Sequence, residues 1–314
     1  MLCFDKLKIV TTTQYIQNID GNSFIAHTKN KELLYYKYQQ RSPYSLLIMI
    51  DYRKDELSIE FTSKILMEKC TELINQNNIK VCLQNINALQ ICQLDIDSIL
   101  NDSNVVKCDV TKDVLCSDVK SITKQIYCHL ANCKKWVCEP YEEGVVLRNM
   151  LSTPRHKNRI VIYDKGHEMG KAINVMFLSK LKNREEVMQY FQGKVRFETN
   201  INTMVQIREM LKINDNSLMS VLQAQTSPFI PILSKALNHT QMAKNIKSNT
   251  LMDYQRELLL RECEYDMHKV ELKIRSLISK NTSIKRILKP YKRLWEEHLK
   301  DESIQEINIW ELVA

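Results

Sequence analysis

The 314-residue chain has only five glycines, and none of them builds a G-x-x-x-x-G-K-[ST] loop for nucleotide phosphates, so ATP-driven chemistry is disfavoured. Its ten cysteines are scattered without a single C-x-x-C, which reads as reduced thiols rather than a disulfide framework. Cys128, His129, Cys133 and Cys138 come closest to a metal cluster, but four-residue gaps on an amphipathic helix do not match a zinc knuckle. No histidine pair of the H-x-H kind occurs. No apolar run approaches the roughly 18 residues of a membrane span, and the start M-L-C-F-D-K-L-K has neither the cationic start nor the apolar core of a secretory signal. The expectation is a soluble, cytoplasmic protein with no membrane partner.

What is present begins with charge. The formal net charge of +8 permits nucleic-acid binding without establishing it. Its distribution is more informative. Lys280, Lys285, Arg286, Lys289, Lys292 and Arg293 form one carboxylate-free stretch, and Arg148, Arg155, Lys157 and Arg159 form another.

Period-two alternation predicts four half-buried strands. Leu57, Ile59 and Phe61 oppose Ser58 and Glu60; Val106, Cys108 and Val110 oppose Lys107, Asp109 and Thr111. In Arg159 to Lys165, one side carries Arg159, Val161, Tyr163 and Lys165. Val195, Phe197, Thr199 and Ile201 oppose Arg196, Glu198 and Asn200. Tyr44 to Phe61 reads as a hairpin turning near Arg53 to Asp55. Helical patterns lie between: one capped by Thr62 or Ser63 and carrying Ile65, Leu66, Leu73 and Ile74; one capped by Ser117; one starting at Thr203. The expected fold is α+β, a mainly antiparallel sheet with helices on one face and an open polar face, over residues 1–245. A helical module follows over 250–314, interrupted at Pro290. It is either a helix-turn-helix holding DNA through Lys285, Arg286, Lys292 and Arg293 or a solvated basic face.

If the strands are neighbours, Glu60, Asp109, Glu198, Lys107, Arg196, Lys165 and Tyr163 share one surface, and a core needs none of them. Any single strand of this kind is more simply a solvated face decorated with charge. Together they match the needs of phosphodiester cleavage: a nucleophile, and charge neutralisation at the phosphate oxygens. A neutral phenol with a pKa of about 10 is a weak nucleophile and needs a neighbouring cation to favour the phenolate. Lys165, two residues along the strand from Tyr163, is placed for that. Asp109 and Glu198, with Glu60 or Glu168, supply oxygen ligands for Mg²⁺ (or Mn²⁺). Arg155, His156, Lys157, Arg159 and Arg196 supply cations for DNA.

Four segments carry a family resemblance in order: L-S-I-E-F-T-S-K-I-L from Leu57, V-V-K-C-D-V-T from Val105, R-H-K-N-R-I-V-I-Y-D-K-G-H-E-M from Arg155, and G-K-V-R-F-E-T-N-I from Gly193. Over roughly residues 45 to 225 the chain resembles the filamentous-phage gene II replication proteins and related phage and plasmid rolling-circle initiators. The resemblance implies a site-specific single-strand DNA endonuclease and strand-transfer enzyme. Tyr163 then falls on the family's nucleophilic tyrosine, Lys165 on its lysine, Glu168 on its acidic residue, and Asp109, Arg196 and Glu198 in two further motifs. It also implies single-stranded or supercoiled origin DNA as substrate, with a host helicase and polymerase as partners. Two other readings remain open on the residues alone: a non-catalytic DNA-binding replication or copy-number regulator, and a metal-dependent hydrolytic nuclease.

Overall fold

The computed structural model describes residues 2–116, 118–130, 135–153, 157–237, 250–277, 283–301 and 309–313. The first half holds β1 (Cys3–Thr11), the short β2 (Ile16–Gln17), β3 (Ile25–Lys29), β4 (Glu32–Gln40), β5 (Leu46–Asp51) and β6 (Glu56–Thr62). It continues with β7 (Gln93–Leu94) and β8 (Asn104–Leu115); β9 (Trp136–Tyr141), β10 (Gly144–Asn149), β11 (Arg159–Asp164) and β12 (Lys194–Ile201) follow. Ten of these form one antiparallel sheet in the order β3-β4-β5-β6-β1-β8-β12-β11-β10-β9, while β2 and β7 pair separately. The fold is therefore α+β with a large antiparallel sheet and a helical C-terminal region, as the alternation predicted.

The apolar side of each strand makes the core: Leu57, Ile59, Phe61, Cys108, Val110, Ile160, Ile162, Val195, Phe197 and Ile201 are all fully buried. Helices α1 (Ile79–Ala88), α2 (Ile96–Asp102), α3 (Val119–His129), α7 (Met204–Leu211), α8 (Leu218–Leu222) and α9 (Phe229–Ala236) accompany these strands. Phe197 meets Phe229 of α9 edge-on, with ring centroids 6.3 Å apart. Thr203 caps α7 by accepting from the Gln206 amide. The expected cap of α3, Ser117, lies outside the described residues; Asp118 accepts from the Ser121 amide at 3.0 Å.

Three local expectations need correction. The segment Ser63–Glu72 is a 3-10 run, broken at Met67, whose φ is 56°. It is not an amphipathic α-helix, because Ile74 leaves it to exchange backbone hydrogen bonds with Phe4 at 2.8 and 2.9 Å. In β8 a bulge skips Val106 in the pairing with β1, so Val105 and not Val106 takes the buried position. Finally, β11 ends at Asp164, whose side chain accepts from the His167 amide at 2.8 Å and caps α4 (Lys165–Met169). Lys165 is thus a helix residue, not part of the strand face.

The polar side of the sheet is also less open than expected. Beside α4, α5 (Val175–Leu178) and α6 (Arg184–Phe191) gather Met169, Phe177, Leu178, Leu181, Val187 and Phe191 with Cys70 into a second apolar cluster. Phe191 sits over the Arg196 guanidinium, 5.6 Å from ring centre to Cζ, so this cluster roofs one end of the polar face.

The chain divides into two compact units, Met1–Asn238 with Asn308–Ala314, and His239–Ile307. The last short helix, α13 (Ile309–Val313), packs with α9 in the first unit. The second unit holds α10 (Leu251–Glu262), α11 (Met267–Leu277) and α12 (Ile284–Asp301), and α12 carries Pro290 without a break. Lys285, Arg286 and Lys292 are exposed on α12, whereas Arg293 pairs with Asp253 at 2.7 Å.

Candidate functional site

Strand register gathers the predicted residues before any side chain is considered. Tyr163 lies opposite Arg196, Arg196 opposite Asp113, Val161 opposite Glu198, and Asn200 opposite Asp109. Asp109 in turn faces Lys6, and Lys6 faces Thr62. Directly paired residues of antiparallel strands project to the same face. One surface therefore runs from Tyr163 across β12 and β8 to β1. Opposite Tyr163 on β10 stands Gly144, where a Cβ would fall 2.0 Å from the Ile162 carbonyl oxygen. Only glycine permits that approach.

Tyr163 is half-buried, and its hydroxyl donates to Glu198 Oε2 at 3.2 Å. Burial, and then the charge of Glu198, hold the phenol well above its ordinary pKa. Glu198 is itself pushed up to about 7 by burial, Asp5 and Asp109. Asn200 donates to Glu198 Oε1 at 3.1 Å, and Arg159 donates to Asn200 Oδ1 at 3.0 Å. These side chains form a continuous line, Arg159 to Asn200 to Glu198 to Tyr163, that fixes the carboxyl beneath the phenol. Asp109, next to it, is raised by burial, and its Oδ1 has no partner.

Lys165 does not perform the expected activation of the phenol. It is buried, its ammonium pairs with Glu168 at 2.5 Å, and it lies 5.8 Å from the centre of the Tyr163 ring. Glu168 is correspondingly committed: Lys165 takes Oε2 and Asn174 donates to Oε1 at 3.1 Å. Burial alone would raise its pKa, yet Lys165 and Asn174 hold it low. Glu168 therefore already has a cation as its partner, which Glu198 lacks. Glu60 is likewise held by Lys6 at 2.5 Å and Lys107 at 3.6 Å.

Arg196 also departs from its expected role. It is 1% exposed and clamped by Asp113 through two hydrogen bonds of 2.6 and 2.7 Å, with Asp5 at 3.1 Å. Three of its five N–H donors are taken and the group is 1% exposed, so the guanidinium is not presented to a DNA backbone. Lys157 and Arg159 stay at the partly exposed edge of the site, and burial with Arg159 and Lys107 nearby lowers the Lys157 pKa. Arg155 and His156 lie outside the described residues, as do Cys133 and the side chains of Cys128 and His129. Cys138 is buried in β9.

Several site residues were not anticipated. Asp5 sits at a bulge in β1, where the pairing with β8 skips it between Phe4 and Lys6. Asp5 and Lys6 thus both reach the polar face, a displacement for which bulges are known. Asp113 was legible, since Lys107, Asp109, Thr111 and Asp113 alternate without a gap. Lys64 reaches in from the 3-10 run, its Nζ donating to Asn174 Oδ1 at 2.7 Å. Burial, offset by Glu168 but reinforced by Lys165, lowers its pKa. No sequence signal marked it.

Among the described residues, no cluster of three or more His, Cys, Asp or Glu side chains is arranged to hold a metal ion. A two-carboxylate site is a different matter. Mg²⁺ commonly takes one or two protein carboxylates and keeps water in its remaining positions. The unpartnered Oδ1 of Asp109 and the raised pKa values of Asp109 and Glu198 describe a place short of positive charge, so this pair fits such an ion. No protein-family model and no curated protein matches the chain. Among the described residues no helix is long and apolar enough to cross a membrane.

Proposed function

We propose that this chain is a rolling-circle replication initiator, a site-specific single-strand DNA endonuclease and strand transferase working through a 5′-phosphotyrosyl intermediate on Tyr163. The observation that carries the reading is the contact between the Tyr163 hydroxyl and Glu198. A nucleophile hydrogen-bonded to a carboxyl whose pKa is near 7 is the pairing that general-base activation requires. The resemblance in the strand motifs supports the same reading. Glu198, expected from the sequence as a metal ligand, is in this reading also the general base, a role that its contact with the phenol supports.

In the reaction, the phenolic proton passes to Glu198 as the Tyr163 oxygen bonds to phosphorus. The bond from phosphorus to the 3′ oxygen breaks, and that oxygen takes up a proton to leave a free 3′-hydroxyl for a host polymerase to extend behind a helicase. Attack by a later 3′-hydroxyl on the phosphotyrosine reseals the strand, so the energy of the broken bond is conserved and no ATP is consumed. Lys165 and Lys64 bring positive charge to the pocket where the phosphate would gain negative charge. Mg²⁺ or Mn²⁺ held by Asp109 and Glu198 would supply Lewis-acid neutralisation of the phosphate oxygens.

The test is incubation of the full chain with 3′-end-labelled single-stranded origin DNA and Mg²⁺. The expected product is labelled protein stable to denaturation, absent with Tyr163→Phe. Cleavage that leaves no labelled protein and survives Tyr163→Phe would mean water is the nucleophile. Binding without cleavage would mean a regulator.

A further inference from the structure

The polar face does not stop at the site. Row by row, Lys107 faces Lys8, Lys8 faces Glu60, Glu60 faces Leu47, and Leu47 faces Gln39 on β4. The next row runs from Val10 through Ser58, Met49 and Lys37 to Ile25 on the edge strand β3. On this same face of the hairpin, His27 stacks on Tyr35, with centroids 4.6 Å apart and planes 21° from parallel. Both rings are half-buried, and Ile25 beside them is 67% exposed. Tyr36 and Tyr38 point the other way, against Tyr52 and Phe24. The chain before Tyr44 lies outside the family resemblance.

The charge along these rows is cationic. Among the described residues Lys8 and Lys37 form no ion pair. The carboxylates between them are already compensated: Glu60 by Lys6 and Lys107, and Asp51 by Arg53 and Lys54. Glu56 stands at the rim.

We propose that the β3–β4 hairpin is a docking platform for single-stranded DNA, stacking bases on the His27–Tyr35 pair and holding phosphates with Lys37 and Lys8. Aromatic rings set among cations suit a single strand because every base has a π face whatever the sequence. A protein partner would want a contiguous apolar patch, and here the exposed apolar side chain is Ile25. Six strand steps separate β4 from β11, about 29 Å at about 4.8 Å per step. At about 3.4 Å per stacked nucleotide that is roughly eight to nine nucleotides, inside the 4–16-nucleotide range of single-strand sites. The platform rests on the nicking reading in one respect: the strand it holds is the one that enters the Tyr163 site.

The experiment uses the full chain and fluorescein-labelled oligothymidylates of 6 and 20 nucleotides, read by anisotropy across a salt series. Tyr35→Ala should weaken both oligonucleotides, the 20-mer about tenfold, while Tyr35→Phe keeps wild-type affinity. Lys37→Gln should reduce the salt slope by about one. The proposal is overturned if the wild type does not bind the 20-mer, or if Tyr35→Ala binds it as the wild type does. It is equally overturned if Tyr35→Ala changes only the sedimentation coefficient, since the edge strand then serves a second copy of the chain. Failure of the nicking reading looks different: hairpin-dependent binding persists, but no Tyr163 adduct forms.

Discussion

Two clusters of carboxylates share the polar face, a strand or two apart, and their electrostatics are opposite. Around Arg196, Asp113 and Asp5 are saturated: each has a guanidinium contact, and Ser63 adds a 2.7 Å hydrogen bond to Asp5. Burial alone would raise Asp5, yet Arg196 and Lys165 hold it below its ordinary value. Around Tyr163, burial raises Glu198 and Asp109, the pull of Arg196 on the one and of Lys107 and Lys6 on the other offsets it only in part, and one oxygen of Asp109 is unpartnered. Folding tends to leave buried polar groups satisfied, so the saturated cluster reads as scaffold and the deficient one as the place where chemistry or a cation supplies what is missing.

The strongest way to break that contrast is to unbalance the saturated cluster. Arg196→Met removes a fully buried cation and strands Asp113 and Asp5 without a partner. Breaking a buried pair from one side costs about 3–5 kcal/mol, a large part of the stability of an ordinary domain. Urea unfolding should therefore show a much lower midpoint. A near-wild-type midpoint would mean that Arg196 is held for function rather than structure.

Glu198→Gln should act the other way round. It should slow adduct formation about 10²- to 10³-fold, as loss of a general base does, with the fold intact. In the wild type, the rate should rise with pH as Glu198, pushed up to about 7 by burial and its carboxylate neighbours, gives up its proton, and a divalent ion held at Asp109 and Glu198 should move the midpoint of that rise lower. The glutamine variant should lose that limb. The stability sign is opposite. A carboxyl with a raised folded pKa binds more protons folded than unfolded between about 4.3, its ordinary value, and about 7. Its contribution to stability therefore declines as pH rises through that window. Well above pH 7, in EDTA, Glu198→Gln should be more stable than the wild type by about 3 kcal/mol, measured by denaturant titration.

The contrast also marks what could be read without a structure. Alternation located β6, β8, β11 and β12 and their polar residues, because a strand half-buried in an antiparallel sheet writes its two faces into the sequence. Two kinds of feature escaped. Bulges shift the phase: between Phe4 and Leu7 the period of two fails, which hid β1, the central strand that delivers Asp5. Helix caps were written plainly but overruled by the strand pattern. Asp164 followed by Lys-Gly-His is an N-cap signature, and reading it would have moved Lys165 off the strand and onto Glu168. Which carboxylates are saturated depends on cations distant in sequence, such as Lys64 and Arg196, and no local pattern carries that.

Gly144→Ala sharpens the comparison at the backbone. Its Cβ would meet the Ile162 carbonyl at 2.0 Å and the Tyr163 Cα at 2.7 Å, so β10 and β11 must separate at the nucleophile. The cost should be about 1–3 kcal/mol, as for other overpacked positions. Adduct formation should fall while the Arg196 cluster, on the far side of β11, stays intact. Hydrogen exchange should show faster opening at 144–147 and 160–163 only.

The smallest expected effect belongs to Lys64, a cation beside Asp5 and Glu168. Its ammonium contacts Asn174, and Asn174 contacts Glu168, yet among the described residues it has no carboxylate within ion-pairing distance. A half-buried cation short of a counter-ion is suited to meet a phosphate, and its loss should weaken DNA binding more than chemistry. Lys64→Met, which keeps the apolar stem over Phe177, should raise KM for a short origin oligonucleotide about tenfold with kcat little changed, a cost in the range of one charged hydrogen bond. Lys64→Arg should recover most of it. If kcat falls instead with KM unchanged, the lysine acts on the departing oxygen and belongs functionally with Tyr163 and Glu198.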